Sequence, residues 1–482
     1  MNRALPLIAL VAAGLAGCVD LAPNYRRPAA PIPSRFPSGA AYASPPTAPQ
    51  PVVGWRDFFS DPKLKAVIGA ALANNRDLRV AVANIAAARA QYHVQRADLF
   101  PKLDANATAT YGQEPTSVLA GGLVPPGGAS TYNERLYSLN AAVSAYQLDL
   151  FGKVRNLTRA AQDQYFATRE ARDAAQITLV SEVATDYLAL GSDQALLKVA
   201  EDTLKSATES LEVTKGRFMA GVDSELDISQ AQTTVQQARF DVAQLTTQVA
   251  QDRNALDLIV GASVADDLLP SGIDTPVVVL EHLPSTVSSA VLLERPDVLQ
   301  AEEQLRATNA NIGAARAAFF PDISLTGSGG LTSLALSTLF KGGSGVWSFA
   351  PTVSQTIFDG GANRGNLDNA KAQRTISLAN YEKAIQTAFR EVSDALAARG
   401  TIDERLAAQQ ALTDAAATAL RISTARYNQG SDTYLNVLIA QRTLYSARQT
   451  LVTTRLSEAD NLVTLYAALG GGLNAPVSVA GR

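Results

Sequence analysis

A motif that occurs twice separates two pairs of long helical patterns in this chain. RFMAGVDSELDISQAQ occupies Arg217–Gln232 and RYNQGSDTYLNVLIAQ occupies Arg426–Gln441, so the two copies lie 209 positions apart. The residues that the copies share are Arg217, Gly221, Asp223, Leu226, Ala231 and Gln232, repeated as Arg426, Gly430, Asp432, Leu435, Ala440 and Gln441. A duplicated turn with long patterns on both sides predicts a duplicated fold.

The patterns around the first copy indicate a helical hairpin. Apolar residues recur every seven positions before the turn and at steps of three and four after it, as in helices packed along a supercoil. These residues are Val183, Leu190, Leu197, Leu204, Leu211 and Phe218, then Ile228, Ala231, Val235, Ala238, Val242, Leu245 and Val249. Gly221 suits the left-handed conformation that ends a helix, and Asp223 or Ser224 suits the cap of the next helix.

Composition excludes several classes of function. The 482 residues are 47% hydrophobic and carry a formal net charge of only −4, which gives no indication of nucleic-acid binding. Cys18 is the only cysteine and His93 and His282 are the only histidines, so a disulfide within the chain is impossible and a His/Cys metal cluster is not expected. We find no catalytic constellation in the sequence. We therefore expect a protein that is not an enzyme and uses no cofactor.

The N-terminus has the features of a secretory signal. A basic Arg3 precedes an apolar run that is too short to span a membrane, and small residues lead to Cys18. The segment Leu15–Cys18 resembles a bacterial lipoprotein box, in which the cysteine is lipidated and becomes the mature N-terminus. Position two of the mature chain is then Val19 rather than the aspartate that signals retention in the inner membrane. This resemblance indicates the outer membrane, with a lipid anchor on Cys18.

The remaining sequence divides into two repeats joined by a linker. Prolines between Asp20 and Val53 predict an extended segment, and one helix is expected from about Asp61 to Pro101. The predicted organisation is a signal peptide at 1–17, a lipidated N-terminus and proline-rich extended segment at 18–60, repeat 1 at 61–265, a linker at 266–284, repeat 2 at 285–475 and a tail at 476–482, with the helical tips near 217–227 and 426–436.

Each repeat also contains two segments in which apolar and polar residues alternate. They lie at about 102–112 and 136–149 in repeat 1, and at about 322–330 and 346–358 in repeat 2. Alternation of this kind fits a soluble sheet packed on one side or a membrane strand between lipid and water. Flanking helices of roughly 40 to 60 residues favour the membrane reading, because no compact domain covers them. Four strands do not close a membrane barrel, which needs about eight, so the chains must associate.

Several motifs resemble one family along essentially the whole mature chain. They are the box at Cys18, LLERPDVLQAEEQLRATNANIGAARAAFFPDISL from Leu292, YEKAIQTAFREVSDALAARG from Tyr381 and RYNQGSDTYLNVLIAQRTLYSARQTL from Arg426. The chain resembles the TolC-like outer membrane factors, the outer-membrane efflux proteins of Gram-negative bacteria, in their lipoprotein branch. The resemblance implies an α+β membrane protein: a homotrimer with a long coiled-coil periplasmic tunnel and one transmembrane β-barrel, to which each chain gives four strands.

The same resemblance implies a function and a set of partners. The expected function is the outer-membrane channel of a tripartite efflux system, a passive exit duct for drugs or other toxic small molecules. The expected partners are a periplasmic adaptor (membrane fusion) protein, a proton-driven inner-membrane pump and outer-membrane lipid, with no nucleic acid. The alternatives are an exit duct for type I protein secretion and a non-conducting structural trimeric lipoprotein.

The family resemblance assigns roles to the two tips. Adaptor contact is expected at Arg217, Gly221, Asp223, Leu226, Arg426, Gly430, Asp432 and Leu435. The family often closes its tunnel with acidic side chains shortly before the second tip, but between Ala411 and Tyr427 the only acid here is Asp414. The candidate gate residues are therefore Glu212, Asp414, Arg421 and Arg426. Glu212 occupies the position that matches Arg421, which leaves two alternatives: a contact between these two residues that joins the tips, or solvated charges on separate faces.

Overall fold

The computed structural model describes residues 20–42, 54–115, 131–273 and 288–472. The predicted signal peptide, Cys18, most of the predicted linker and the predicted tail at 476–482 lie outside these described residues. The described part divides into two compact units. The first contains residues up to 28 together with 86–166 and 303–379, and the second contains residues 29–85, 167–302 and 380 onwards.

The order of elements repeats along the chain. Three helices, two strands and two long helices are followed by one helix, two strands and two long helices, which confirms the predicted internal repeat. The helices are α1 (Trp55–Phe58), α2 (Pro62–Asn74), α3 (Arg76–Ala97), α4 (Lys153–Met219), α5 (Glu225–Val260), α6 (Pro296–Ala317), α7 (Ala362–Asn428) and α8 (Tyr434–Ala468). The strands are β1 (Leu103–Pro115), β2 (Thr131–Leu148), β3 (Asp322–Ser333) and β4 (Gly345–Ser354).

Helix lengths differ from the expected 40 to 60 residues. The two helices that follow strand hairpins, α4 and α7, have 67 residues each. The helices that return from the tips, α5 and α8, have 36 and 35 residues. The helices before the strands, α3 and α6, have 22 residues each. Among the described residues, no helix has a stretch that is both long enough and apolar enough to cross a membrane.

The four strands form one antiparallel sheet in the order β1-β2-β3-β4. Its register aligns Leu103 with Val143, Val143 with Gly327 and Gly327 with Phe349. All four strands therefore share one face that is mainly apolar. Strands β1 and β3 end at Pro115 and Ser333 rather than near 112 and 330, and two other bounds differ more. Strand β2 begins at Thr131 rather than near 136, because β1 continues far enough to pair with it. Strand β4 ends at Ser354 rather than near 358, because its partner β3 begins opposite that residue.

The second unit has an aromatic core. Phe58 and Phe59 are fully buried, and the Phe58 ring stacks on Tyr466 with ring centroids 4.5 Å apart. These phenylalanines therefore anchor the short helix α1 and the residues around it to the core of this unit. The next helix, α2, starts where the side chain of Asp61 accepts a hydrogen bond from the Lys63 N–H at 2.8 Å. Pro62 at its first position needs no backbone donor.

The prediction of one helix from Asp61 to Pro101 is wrong, because the helix breaks at Asn75. This buried residue has an extended backbone, and its side chain accepts from the Leu78 N–H at 2.8 Å and so caps α3. Its amide nitrogen donates to the Ile259 carbonyl, also at 2.8 Å. The end of α5 approaches closely here, since a Cβ on Gly261 would lie 2.7 Å from the Asn74 carbonyl oxygen. The break therefore joins α2, α3 and α5.

Replacing Asn75 with alanine should destabilise this unit. The change leaves the Leu78 N–H and the Ile259 carbonyl without their side-chain partner in a buried place, which costs about 1 to 3 kcal/mol. We expect Asn75→Ala to lower the midpoint of thermal unfolding measured by circular dichroism. Asn74→Ala is the matched control, because the Asn74 amide only donates to the Ala70 carbonyl within α2. Equal midpoints for the two variants would contradict a joining role for Asn75.

Candidate functional site

The first tip is a glycine turn between two helices. After α4 ends, Gly221 has φ 75°, and the Val222 N–H donates to the Arg217 carbonyl at 2.9 Å. The next helix, α5, begins with a capping box in which Ser224 and Asp227 each accept from the other's backbone N–H. Of the two caps expected from the sequence, Ser224 is therefore the one used. Gly221 has open space around it, so its positive φ is what disfavours other residues.

The second tip uses the same turn with a different cap. Gly430 has φ 74°, and the Ser431 N–H donates to the Arg426 carbonyl at 3.0 Å. Thr433 precedes α8 without capping it through its side chain. Asp432 instead accepts from the Thr433 N–H at 2.9 Å and from the Asn436 amide at 2.6 Å. The hydrogen bond from Asn436, followed by that from Thr433, lowers the pKa of the Asp432 carboxyl.

Asp223 connects the first tip to the second helical hairpin. Its carboxylate accepts from the Arg217 Nε at 3.0 and 3.2 Å and also accepts from the Tyr427 hydroxyl. The Arg217 guanidinium lies over the Tyr427 ring, 4.3 Å from its centroid. Thr214 Oγ1 is 3.3 Å from the same hydroxyl. We call these four residues, Thr214, Arg217, Asp223 and Tyr427, the tip cluster.

The tip cluster is shielded from water. The Asp223 and Arg217 side chains are only 7% and 20% exposed, so their ion pair is better protected than an ordinary surface pair. The hydrogen bond to Asp223 is the main factor that raises the pKa of Arg217. Burial, followed by the hydrogen bond to Asp223, raises the pKa of Tyr427 to about 12. At neutral pH the Tyr427 hydroxyl therefore stays protonated and donates a hydrogen bond to the Asp223 carboxylate.

The two tips are not equivalent, although their sequences match. Tyr427 is buried, whereas Phe218, which occupies the same position in the first copy, is 43% exposed and has no hydroxyl. Arg426, the match of Arg217, lies 3.5 Å from Asp432 and is 58% exposed. The arginine of the duplicated Arg-Asp pair is thus shielded by an aromatic ring in one tip and exposed to solvent in the other.

The candidate gate residues lie on the exposed surface near the tips. Glu212 pairs with Lys215 on its own helix at 2.8 Å, and Asp414 accepts from the Gln410 amide at 3.0 Å. Arg421 is exposed. Within the described residues of this chain, Arg421 forms no ion pair with Glu212, so the contact expected between these two residues is absent here. The structure brings Arg217 and Asp223 together instead.

The tips also present apolar side chains and a groove to solvent. Met219 is 81% exposed, Leu226 is 64% exposed and Leu435 is 49% exposed. A groove of about 540 Å³ lies between the two hairpins, with side chains from α4, α5, α7 and α8. Its walls are mixed, from Ala238 and Leu444 to Thr234 and Arg442. Such a surface is suited to docking another helical protein.

Comparison with known proteins decides the family. Residues 67–262 and 287–471 match the family model described as outer membrane efflux protein. The chain belongs to the outer membrane efflux protein family. This efflux protein is 45% identical over 475 residues to the solvent efflux pump outer membrane protein SrpC of Pseudomonas putida, with 98% of each chain covered. It is 40% identical over 460 residues to the probable outer membrane lipoprotein SilC of Salmonella typhimurium, covering 95% of this chain and 96% of SilC.

A solved structure agrees with this assignment. The open state of the Neisseria gonorrhoeae MtrE outer membrane channel superposes on the efflux protein with a TM-score of 0.83 at 36% identity, covering 94% of this chain and 99% of the other. The predicted α+β membrane fold, the function as an outer-membrane efflux channel and the location in the outer membrane are confirmed. The family consists of efflux channel proteins rather than enzymes.

The sequence analysis of the efflux protein missed Tyr427. It singled out the residues that the two tips share, whereas Tyr427 occupies a position at which they differ, with Phe218 in the first copy. That tyrosine-for-phenylalanine difference was the available signal, because a buried hydroxyl requires a partner that phenylalanine does not. It also missed Tyr445, whose hydroxyl donates to Asp241 at 2.8 Å and forms a second link between the hairpins.

Removing the Tyr427 hydroxyl should loosen the first tip. Tyr427→Phe keeps the ring under Arg217 but takes one donor from the buried Asp223, which costs about 1.5 to 3 kcal/mol for a hydrogen bond to a charged group. We expect hydrogen exchange at the backbone amides of residues 221–224 to become roughly tenfold to a hundredfold faster.

Tyr434→Phe is the matched control for this experiment. Its hydroxyl is also close to the tips, but its contact with Ser210 is 3.5 Å, which is at the limit for a hydrogen bond. We expect the amide exchange at the first tip to remain near that of the unaltered protein. Exchange in Tyr427→Phe that is no faster than in Tyr434→Phe would show that the hydroxyl does not hold the tip.

Proposed function

We propose that three copies of this chain assemble into one duct through which small molecules leave the cell passively. The open edges of the sheet support this proposal. Within the described residues, β1 pairs only with β2 and β4 pairs only with β3, so both edge strands have unpaired backbone groups. Such groups must find partners in a membrane, and a membrane barrel needs about eight strands or more. A trimer that closes a twelve-stranded barrel meets both requirements, and it is the assembly that the family resemblance implies.

The duct receives its substrates from other proteins. A proton-driven inner-membrane pump supplies the energy, and a periplasmic adaptor connects this pump to the tips of the duct. The likeness to SrpC, named as part of a solvent efflux pump, supports small organic molecules of the solvent class as substrates. Substrates of this class need a continuous path through the periplasm and the outer membrane but no chemical change, so this component needs no catalytic groups.

The adaptor binds at the two tips. The exposed Met219, Leu226 and Leu435 and the groove between the hairpins support this role, because they combine apolar contact area with polar rims. The shared turn residues Gly221 and Gly430 keep both tips in one backbone form, and Arg217, Asp223, Arg426 and Asp432 fix that form by ion pairs.

Cys18 anchors the protein to the outer membrane through attached acyl chains. The likeness to SilC, named as a probable outer membrane lipoprotein, supports this assignment. Asp20, two residues later, is the first described residue, and it is tied to the body of the protein. Burial alone would raise the pKa of Asp20, but hydrogen bonds from Ala22, Arg159 and Asn156 outweigh it and lower that pKa to about 2.

Conductance of the purified protein in a planar lipid bilayer tests the proposed duct. A trimer with a shared barrel should conduct ions through a single central pore, and chemical crosslinking should give a trimer. A protein that stays in the membrane without conducting, even after its tips are opened, would favour the structural lipoprotein instead. Deletion of the gene for this protein then distinguishes efflux from type I protein secretion. Cells should lose solvent tolerance if the protein serves efflux, and should fail to release a secreted protein if it serves type I secretion.

The proposed gate is tested by removing its positive charges. Arg421→Ala with Arg426→Ala should raise the resting conductance of the trimer, because an exposed guanidinium near the tip axis can pair with carboxylates or carbonyls of a neighbouring copy. The leak should also become less selective for anions, since positive charge leaves the constriction. Lys198→Ala with Lys205→Ala, on α4, removes the same charge from the first hairpin without touching a candidate gate residue and serves as the control. Equal conductance and ion preference in both double variants would place the gate elsewhere, with Asp414 or Glu212 as the next residues to test.

A further inference from the structure

The apolar face of the sheet contains a groove of about 530 Å³ that the proposed duct does not explain. All of it lies within the first compact unit. The groove crosses the sheet from β1 to β4, and its lining is almost entirely apolar. The lining residues used below are Leu103, Val143, Tyr146, Leu325, Gly327 and Phe349, with Gly329 beside them.

Two glycines create the groove. Gly327 pairs with Phe349 across the β3–β4 ladder, and Gly329 pairs with Trp347. A Cβ on Gly327 would lie 3.8 Å from the Phe349 ring, and a Cβ on Gly329 would meet nothing within 4 Å. Neither glycine has a positive φ, so the backbone does not require glycine at either position. Because Gly327 and Gly329 have no side chains, a channel is left between the flanking rings of Tyr146 and Phe349.

The described N-terminal segment runs along α6 towards the sheet. Its contacts with α6 move one helical turn at a time: Tyr25 lies under Arg306, the Pro23 carbonyl accepts from Asn309, Ala22 fits against Gly313, and the Leu21 carbonyl accepts from Arg316. The chain numbers fall while the helix numbers rise, so the segment is antiparallel to α6. Followed backwards, towards its N-terminus, it therefore approaches the end of α6, where β3 begins.

The contacts of Asp20, the first described residue, place it near the sheet. Asp20 accepts from Arg159 at 2.8 Å and from Asn156 at 3.0 Å, both in the first turns of α4. Helix α4 starts shortly after β2, and α6 ends shortly before β3. Asp20 thus sits beneath the adjacent ends of β2 and β3. Cys18 is two residues further on, within about 7 Å of extended chain, and the groove opens on these same two strands.

We propose that the groove binds an acyl chain attached to Cys18 of the same protein. An acyl chain is the occupant that fits an apolar, unbranched channel facing lipid, and the N-terminal segment delivers it at the helical end of the sheet. From Leu325 to Gly329 the strand rises about 13 Å, comparable to the roughly 15 Å of one bilayer leaflet. The inference rests on the proposed lipidation of Cys18. It adds that the lipid is a fixed part of the barrel surface rather than a loose tether.

Site-directed photocrosslinking in outer membranes tests this proposal with the full-length, lipidated protein. A benzophenone amino acid is placed at Leu325, in the groove, or at Val353, which shares the apolar face and is 66% exposed. Val353 is nearer to the helical end of the sheet, so an unbound acyl chain reaches it at least as easily. After illumination and proteolysis, we expect the lipidated N-terminal peptide to be crosslinked to the peptide that contains position 325, several-fold more than at position 353.

A second pair of variants tests whether the groove itself determines the crosslink. Gly329→Leu places a side chain in the open channel and should reduce the crosslink at position 325 several-fold. Ala109→Leu adds the same side chain to the same face of β1, away from the groove, and should leave the crosslink unchanged. Neither substitution meets a positive φ, and trimer yield reports whether each variant assembles.

Three results would overturn the proposal, and the first differs in meaning from the other two. If the N-terminal peptide has no acyl modification by mass spectrometry, both the lipid anchor and the occupant are wrong. If the peptide is acylated but position 325 crosslinks only to free phospholipid, or no more than position 353 does, the anchor stands and the groove is not its binding site. Equal crosslinking in Gly329→Leu and Ala109→Leu has the same consequence.

Discussion

Unpaired backbone groups at the two edges of a four-stranded sheet are the reason why this protein must associate with other copies in a membrane. In water an edge strand is tolerated, but in hydrocarbon each unpaired N–H or C=O costs several kcal/mol. The described sheet has β1 and β4 at its edges and one apolar face, so it cannot be stable in a membrane as a single copy. Association of chains is therefore a condition of membrane insertion rather than a later refinement. The internal repeat gives each copy two hairpins for the shared structure.

The duplicated tip shows how two similar sequences come to make different contacts. Both copies keep the glycine turn and the Arg-Asp pair, because the turn itself requires them. Only the second copy has a tyrosine next to its arginine, and that tyrosine packs into the first tip and bonds to Asp223. One tip is thereby locked to the neighbouring hairpin, while in the other the arginine of the pair is exposed. A single hydroxyl group thus makes the two pseudo-symmetric tips unequal.

Small residues allow close approach at several points in this structure. Gly313 accepts the N-terminal segment against α6, and Gly261 lets the end of α5 approach the break between α2 and α3. On the sheet, Gly327 and Gly329 open a groove instead of closing a contact. The same residue type therefore serves packing in the helical parts and binding on the apolar face. Which role applies depends on whether other atoms lie close to the position that a Cβ would occupy.

The sequence by itself determined the class of structure. The duplicated motif predicted the repeat, the heptads predicted the hairpins, and alternation predicted four strands near their observed positions, because these features depend on local periodicity and on turn chemistry. The family could also be inferred from the motifs. Boundaries were less certain: β2 begins earlier and β4 ends sooner than alternation suggests, since a strand ends where its partner ends.

Only the tertiary structure decided which side chains meet. Nothing local to Asn75 distinguishes a helix break from a helix interior, because its decisive partner is the Ile259 carbonyl, far along the chain. Likewise the sequence placed Asp223 among possible caps, and the fold paired it with Arg217 and Tyr427 instead. The expected contact between Glu212 and Arg421 rested on equivalent positions in two repeats, but equivalence is not proximity. Periodicity fixes which face of a helix is buried, whereas pairing across faces depends on how separate helices pack in three dimensions.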